Sequence, residues 1–249
     1  MRILMVPRVE GDLLEMGRSL LPPDHSLVLA DPTEAGSELE AKVRESDAIV
    51  WVATAVGAKG GIPGVVWDAA PGRIKLIHTL SAGYDEIDLD RARAAKVPVS
   101  TNGGANAISV AEHTVMAMLA VYRRLPELID MTRAGQWRPL PKGIRYYELA
   151  GKTIGIVGMG NIGREVAKRL RGWSADLIYF DVFRRSPAEE ADLGLTYLPL
   201  DEVFKRADVI TLHTPLLPET EGLVNAERLA LVKPTAILVN AARGGLVDE

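Results

Sequence analysis

On its pattern alone, this 249-residue chain encodes an α/β protein with two doubly wound parallel sheets. Short apolar runs alternate with amphipathic helical stretches along its N-terminal part, an order that favours parallel strands with helices on both faces. A glycine-rich run, GKTIGIVGMGNIG at 151–163, stands between strand-like and helix-like segments. A further apolar run at 177–180 ends on an acid, Asp181.

The first sheet is expected from residues 3–6, 27–30, 48–52, 76–78 and 97–100, all apolar and of strand length. Between them, 12–21, 37–46 and 89–96 carry apolar residues at helical spacing. Pro22 and Pro23, Gly60 and Gly61, and Gly103 and Gly104 punctuate the alternation. The boundary between domains is set at 101/102, which gives domains 1–101 and 102–249.

Ser109 and Glu112 have the spacing of a capping box, predicting a helix from 109 to about 124. Val110, Thr114, Val115, Met118, Leu119 and Tyr122 form its apolar stripe. So apolar a helix is expected to be buried between domains or between subunits. Pro126 is read as lying just past its end, and 133–147 as an irregular crossing segment. The second sheet then takes 154–157, 177–180, 195–198, 209–213 and 236–240 in turn. Strand order 3-2-1-4-5-6 calls for another strand after the fifth, so this sheet is read as incomplete.

In the glycine run, Gly158 permits a tight turn, Gly160 lets backbone approach a phosphate, and Gly163 lets helix close on strand. The N–H groups opening the following helix, at Asn161 and Ile162, then face an anion with the helix dipole behind them. Asp181 stands where a carboxylate meets the adenosine ribose of a dinucleotide. Flanked in this way, the glycines have the context of a Rossmann pyrophosphate turn.

Composition narrows the function classes. Apolar residues make up 47% of the chain and charged residues 25%, enough for ordinary packed cores. The net charge of −4 gives no electrostatic case for nucleic acid or an anionic membrane. Cysteine is absent, which excludes disulfides and thiolate metal sites. The apolar N-terminal run closes at Pro7 and Arg8, too early for a signal peptide. Residues 48–58 are too few to span a bilayer and read as a strand entering a loop. A cytoplasmic location is the expectation.

Four segments carry a resemblance: LSAGYDEIDL at 80–89, NAISVAEHTV at 106–115, GKTIGIVGMGNIGREVA at 151–167, and LHTPLLPETEGLVNAERLALVKPTAILVNAARGGLVDE at 212–249. In order and spacing the chain resembles the D-isomer-specific 2-hydroxyacid dehydrogenases, the family of phosphoglycerate, glyoxylate and formate dehydrogenases. The resemblance implies a flavodoxin-like substrate domain followed by an NAD-binding domain. It implies that backbone at Ala82 and Gly83 holds the substrate carboxylate and that Asn106 contacts substrate. Arg243 matches the catalytic arginine, whose guanidinium grips a carboxylate and polarises the carbonyl that accepts hydride. His213, Thr214, Pro215 and Thr220 match a cofactor-facing loop, and Ala241 and Ala242 lead into Arg243 beside the cofactor. His213 does not match the family's acid–base histidine.

That histidine and its glutamate fall beyond Glu249 in the family pattern. The chain is therefore expected to be a fragment or a shortened homologue, and inactive as it stands. The activity implied is hydride transfer between NAD(H) and a small 2-hydroxy or 2-oxo acid. Two alternatives stay open: a non-catalytic, corepressor-like NAD-binding module, and formate or phosphite oxidation. Asp181 favours NAD over NADP, although Arg184 and Arg185 nearby could serve a 2′-phosphate. The expected partners are the small acid and a second copy of the chain, with no metal, nucleic acid or membrane.

Overall fold

The computed structural model describes residues 1–6, 12–31, 34, 36–52, 61–84, 87–137 and 145–249. They form two compact units, Met1–Ala105 and Asn106–Glu249.

The first unit runs β1 (Arg2–Val6), α1 (Asp12–Ser19), β2 (Ser26–Leu29), α2 (Gly36–Arg44), β3 (Ala48–Trp51), α3 (Gly64–Ala69), β4 (Leu76–Thr79), α4 (Leu89–Ala95) and β5 (Val99–Thr101). Every pairing is parallel, in the order β2-β1-β3-β4-β5. This is the flavodoxin-like order, with its switch point between β1 and β3. Central strands covered on both faces read as unbroken apolar runs, and LMV in β1 and AIVW in β3 are of that kind. Leu4, Val6, Ile49, Trp51 and Ile77 meet Leu39 and Val43 of α2 and Val66 and Trp67 of α3 in one core. Of the apolar run at 48–58, the first part forms β3, and 53–58 lies outside the described residues.

The second unit opens with α5 (Ala107–Tyr122) and α6 (Leu125–Arg133). It continues β6 (Thr153–Val157), α7 (Asn161–Leu170), β7 (Asp176–Phe180), α8 (Pro187–Leu193), β8 (Leu195–Tyr197), α9 (Leu200–Arg206), β9 (Val209–Leu212), α10 (Ala226–Leu229) and β10 (Ile237–Asn240). The sheet is parallel in the order β10-β9-β6-β7-β8. The first strand of the unit is thus central, with the chain winding outward to either side, as a dinucleotide fold requires. Asp208 ties the amino ends of this sheet together. It accepts Thr153 N–H at 2.9 Å and the Lys233 ammonium at 2.9 Å. Burial pushes its carboxyl up, but these donors outweigh burial and hold it below the usual carboxylate range.

One expectation at the start of this unit is overturned. The capping box does not form. α5 begins two residues earlier, after Asn106, whose carbonyl accepts Val110 N–H at 2.9 Å. Ser109 therefore lies inside the helix, and Glu112 pairs with Arg169 of α7 at 3.1 Å. Pro126 does lie just past the end of α5, and it also falls in the first turn of a second helix that the sequence reading did not separate. Arg124 turns the chain at φ 54°, and Pro126 occupies the first turn of α6, where a missing N–H costs nothing. The expected stripe on α5 is largely covered within the unit, since Val115, Met118 and Tyr122 pack with Val166, Ala167 and Leu170 of α7. Ile108, Met116 and Val121 remain exposed on its other side. Of the crossing segment at 133–147, residues 138–144 lie outside the described residues.

Gly155, in the middle of β6, shows how tightly α9 is seated. A Cβ there would stand 2.6 Å from Val203 Cγ1 and 3.0 Å from Ala207 Cβ, both fully buried. Gly155→Ala is expected to destabilise the unit by about 1–3 kcal/mol through overpacking. Chemical denaturation measures it, and an unchanged midpoint would contradict the packing described.

Candidate functional site

The site is built where β6 hands over to α7. Gly158 sits at φ 96°, and a Cβ on it would lie 2.6 Å from both C and O of His213. The crowding follows from the sheet: Gly158 N–H donates to Phe180 O at 2.8 Å, and His213 N–H donates to Val157 O at 2.7 Å. A Cβ on Gly163 would strike Gly158 O, so α7 starts pressed against the turn. Gly160 has nothing within 4 Å of where its Cβ would be, so one face of the turn is open.

The anion-attracting groups lie beside that open face. Gly160 caps α7 with no side-chain hydrogen bond. The first intrahelical bond runs from Arg164 N–H to Gly160 O at 3.1 Å. The N–H groups of Asn161, Ile162 and Gly163 precede it and have no intrahelical acceptor, so they add to the positive end of the helix dipole.

Asp181 follows β7 in the same cleft. Its carboxylate accepts Met159 N–H at 2.7 Å and Phe183 N–H at 2.8 Å, one on each oxygen. Each oxygen keeps further acceptor capacity for a hydroxyl donor. Of the two arginines that could serve a 2′-phosphate, Arg184 is engaged elsewhere and Arg185 stays beside Asp181. Arg184 grips Glu190 through Nε and Nη2 at 2.9 and 3.0 Å, and its guanidinium lies 5.2 Å from the centre of the Tyr197 ring. Glu190 is in turn held by Tyr179 Oη at 2.8 Å. Arg185 donates to Phe183 O and stands 3.6 Å from Asp181.

These groups border a cleft of about 390 Å³, lined by Gly158, Gly160, Asp181, His213, Thr214, Pro215 and Thr220 among the residues singled out from sequence. Val157, Phe180, Val182, Leu217, Glu219 and Leu223 complete the lining and were missed. Each lies next to or between motif residues, yet nothing in its type signals a ligand. The Thr220 hydroxyl accepts Leu217 N–H at 2.8 Å and donates to Pro215 O at 2.7 Å, so it shapes the loop that forms one wall.

His213 is buried, and burial lowers its imidazole from the ordinary 6.5 to about 4, leaving it neutral near pH 7. Nε2 meets the Thr211 hydroxyl at 2.9 Å, while the buried Nδ1 has no partner among the described residues. Ala241, Ala242 and Arg243 lie past the carboxyl end of β10 and are not among the residues lining this cleft. There Asn240 bridges the turn, accepting Ala242 N–H at 3.1 Å and donating to Arg243 O at 2.8 Å. Asn106 is the N-cap residue of α5. In the first unit, Ala82 and Gly83 follow β4, and their N–H groups have no hydrogen-bond partner among the described residues.

A parallel sheet with a glycine turn, an open helix N-terminus and an acid at the next strand end defines a dinucleotide-binding α/β domain. Residues 115–249 match the NAD binding domain of the D-isomer specific 2-hydroxyacid dehydrogenases. The chain is 39% identical over 213 residues to a glyoxylate reductase of Thermofilum pendens, covering 85% of this chain and 61% of the reductase. It is 41% identical over 213 residues to D-3-phosphoglycerate dehydrogenase of Mycobacterium tuberculosis, covering 85% of this chain and 38% of that protein. The D-lactate dehydrogenase of Aquifex aeolicus, solved with NAD and lactic acid, superposes with a TM-score of 0.83 at 30% identity, over 99% of this chain and 70% of that one. The chain belongs to the D-isomer specific 2-hydroxyacid dehydrogenase family, and its second unit carries the family's NAD-binding domain. The residues present fit that cofactor: the bare face at Gly160 admits a pyrophosphate, and the Asp181 carboxylate can accept ribose hydroxyls.

The buried imidazole makes a pH prediction. Between pH 6.5 and about 4 the unfolded chain protonates this histidine and the folded chain does not. Stability should therefore fall as pH falls through that window, by about 3 kcal/mol from this group, and level off below it. Comparing denaturation midpoints of wild type and His213→Gln across pH isolates the effect. A constant difference between the two proteins would contradict it.

Proposed function

We propose that the protein catalyses reversible hydride transfer between NAD(H) and a small 2-hydroxy or 2-oxo acid. The observation that carries the reading is the convergence of the open α7 N-terminus and Asp181 on one cleft, in a chain of this family. In this reading the backbone of Asn161 and Ile162 holds the pyrophosphate and Asp181 holds the adenosine ribose. The apolar lining at Phe180, Val182 and Leu217 gives the adenine a surface.

The substrate carboxylate is assigned to the unengaged N–H groups at Ala82 and Gly83, with Asn106 contributing at the start of α5. Arg243 orients the acid and polarises its carbonyl, so that negative charge developing on the oxygen meets a fixed cation. The nicotinamide of NAD supplies and accepts the hydride. A homodimer is part of the proposal, supported by the exposed Ile108, Met116 and Val121 along α5. A cytoplasmic location is the accompanying expectation, supported by the absence of cysteine.

Three outcomes follow. NADH oxidation by the complete gene product, tried with glyoxylate, hydroxypyruvate and pyruvate, should show turnover with at least one acid. Arg243→Gln should then lower kcat/KM by ~10²–10³, as loss of an oxyanion-stabilising donor does. No turnover with any acid while NAD binds would favour a nucleotide-sensing module instead.

Calorimetric titration should give NAD at least about tenfold tighter than NADP, since Asp181 repels a 2′-phosphate and Arg184 is held by Glu190. Equal or tighter NADP binding would sink that assignment. Sedimentation should show a dimer at micromolar concentration that Met116→Glu with Val121→Asp dissociates. Wild type sedimenting as a monomer would rule the dimer out.

A further inference from the structure

The turn after β4 is held by a closed set of hydrogen bonds that the family assignment does not mention. Thr79, the last residue of β4, is buried at 1% exposure, and Ser81 stands two positions on. Ser81 N–H donates to Thr79 Oγ1 at 3.0 Å. The two hydroxyl oxygens lie 2.6 Å apart, and Ser81 Oγ donates to Gly83 O at 2.6 Å. Each hydroxyl has one proton to give. With the Ser81 proton on Gly83 O, the short contact between the hydroxyls takes the Thr79 proton. The shortest contacts favour one direction, Ser81 N–H to Thr79, Thr79 O–H to Ser81 and Ser81 O–H to Gly83 O, with Ser81 O at 3.2 Å and Gly83 O at 3.5 Å as further acceptors for the Thr79 hydroxyl.

Two further bonds anchor the same turn. Leu80 N–H donates to Trp51 O at 3.1 Å, which continues the sheet edge past β3. Ser81 O accepts Asn102 N–H at 3.0 Å from the segment after β5. In a planar trans peptide the C=O and N–H point in opposite directions. Pinning Ser81 O on Asn102 therefore turns Ala82 N–H the other way. Pinning Gly83 O on the Ser81 hydroxyl removes the freedom of the next peptide but one. What is left over is the pair of N–H groups at Ala82 and Gly83, without a partner among the described residues and held in place from both sides.

We infer that Thr79 and Ser81 are positioning residues that hold the Ala82–Gly83 backbone in the conformation that receives the substrate carboxylate. The inference rests on the proposed function, in which those two N–H groups bind the acid. Neither side chain touches substrate. They act by removing conformations of the turn in which the N–H groups diverge, and a pre-ordered site avoids the ordering cost on binding.

The test is calorimetric titration of oxalate, a dicarboxylate mimic of a 2-oxo acid, into the NAD-saturated complete gene product. Ser81→Ala and the near-isosteric Thr79→Val should each weaken oxalate roughly tenfold, the scale of one charge-supporting hydrogen bond, and leave NAD affinity unchanged. Thr79→Ser keeps the hydroxyl and should restore oxalate binding. In turnover the loss should appear in KM for the acid rather than in kcat. The double variant should be no weaker than either single one, because one relay is broken in every case. Thermal melting of each variant in the absence of ligand separates a loss of fold from a loss of site.

Folded variants that bind oxalate like wild type would overturn the inference and leave the carboxylate assignment standing. So would Thr79→Ser binding as weakly as Thr79→Val. Wild-type protein that takes no oxalate would overturn both.

Discussion

The contact between Gly158 and the backbone of His213 is the constraint on which the rest of the second unit depends. β6 is flanked by β7 and β9 in register, and Gly158 extends that register by one bond to Phe180 O. The chain must then turn sharply at a point where the neighbouring strand's backbone already occupies the Cβ position. No side chain can stand there, whatever its chemistry, and the positive φ adds strain for any other residue. Because the turn is so short, α7 begins immediately, and its first N–H groups emerge at the carboxyl edge of the sheet. The position of the anion-attracting groups therefore follows from a steric condition between two strands.

The electrostatics of the cleft are arranged around that geometry. Asp181 is kept in place by two backbone N–H groups from either side of it, so its orientation is set before any ligand arrives. Of the arginines that follow it, Arg184 is tied to Glu190, while Arg185 donates to Phe183 O and keeps its guanidinium 3.6 Å from Asp181. His213 is held neutral by burial, so the wall it forms adds no charge to the cleft. The same economy appears in the first unit, where hydroxyls and one carbonyl–amide bond order the turn and leave two N–H groups without a partner among the described residues.

How much of this could be read from sequence depended on the range of the interaction. The parallel sheets were legible because apolar runs such as AIVW and VITL record burial on both faces. The β6–α7 turn was legible because its steric condition leaves only glycine. The start of α5 was misplaced because Ser109 and Glu112 have capping-box spacing, while Glu112 is in fact engaged by Arg169, fifty-seven residues on. Pro126 was rightly placed past a helix end, but the second helix that it helps to start was missed, because the left-handed Arg124 that separates the two leaves no sequence mark. The grip of Glu190 on Arg184 and the Thr79–Ser81 relay were out of reach for the same reason. Serine, threonine and glutamate near a turn are common, and only the fold shows where their protons go.

In the proposed function, the β6–α7 turn and the His213–Thr220 loop form one nucleotide-binding wall. Amide hydrogen exchange with and without NAD tests it most directly, residue by residue. Saturating NAD should slow exchange at Gly160 to Gly163 and in the loop from Thr214 to Thr220, with little change in α9 or α10. Protection confined to other segments, or none at all with NAD bound, would contradict it.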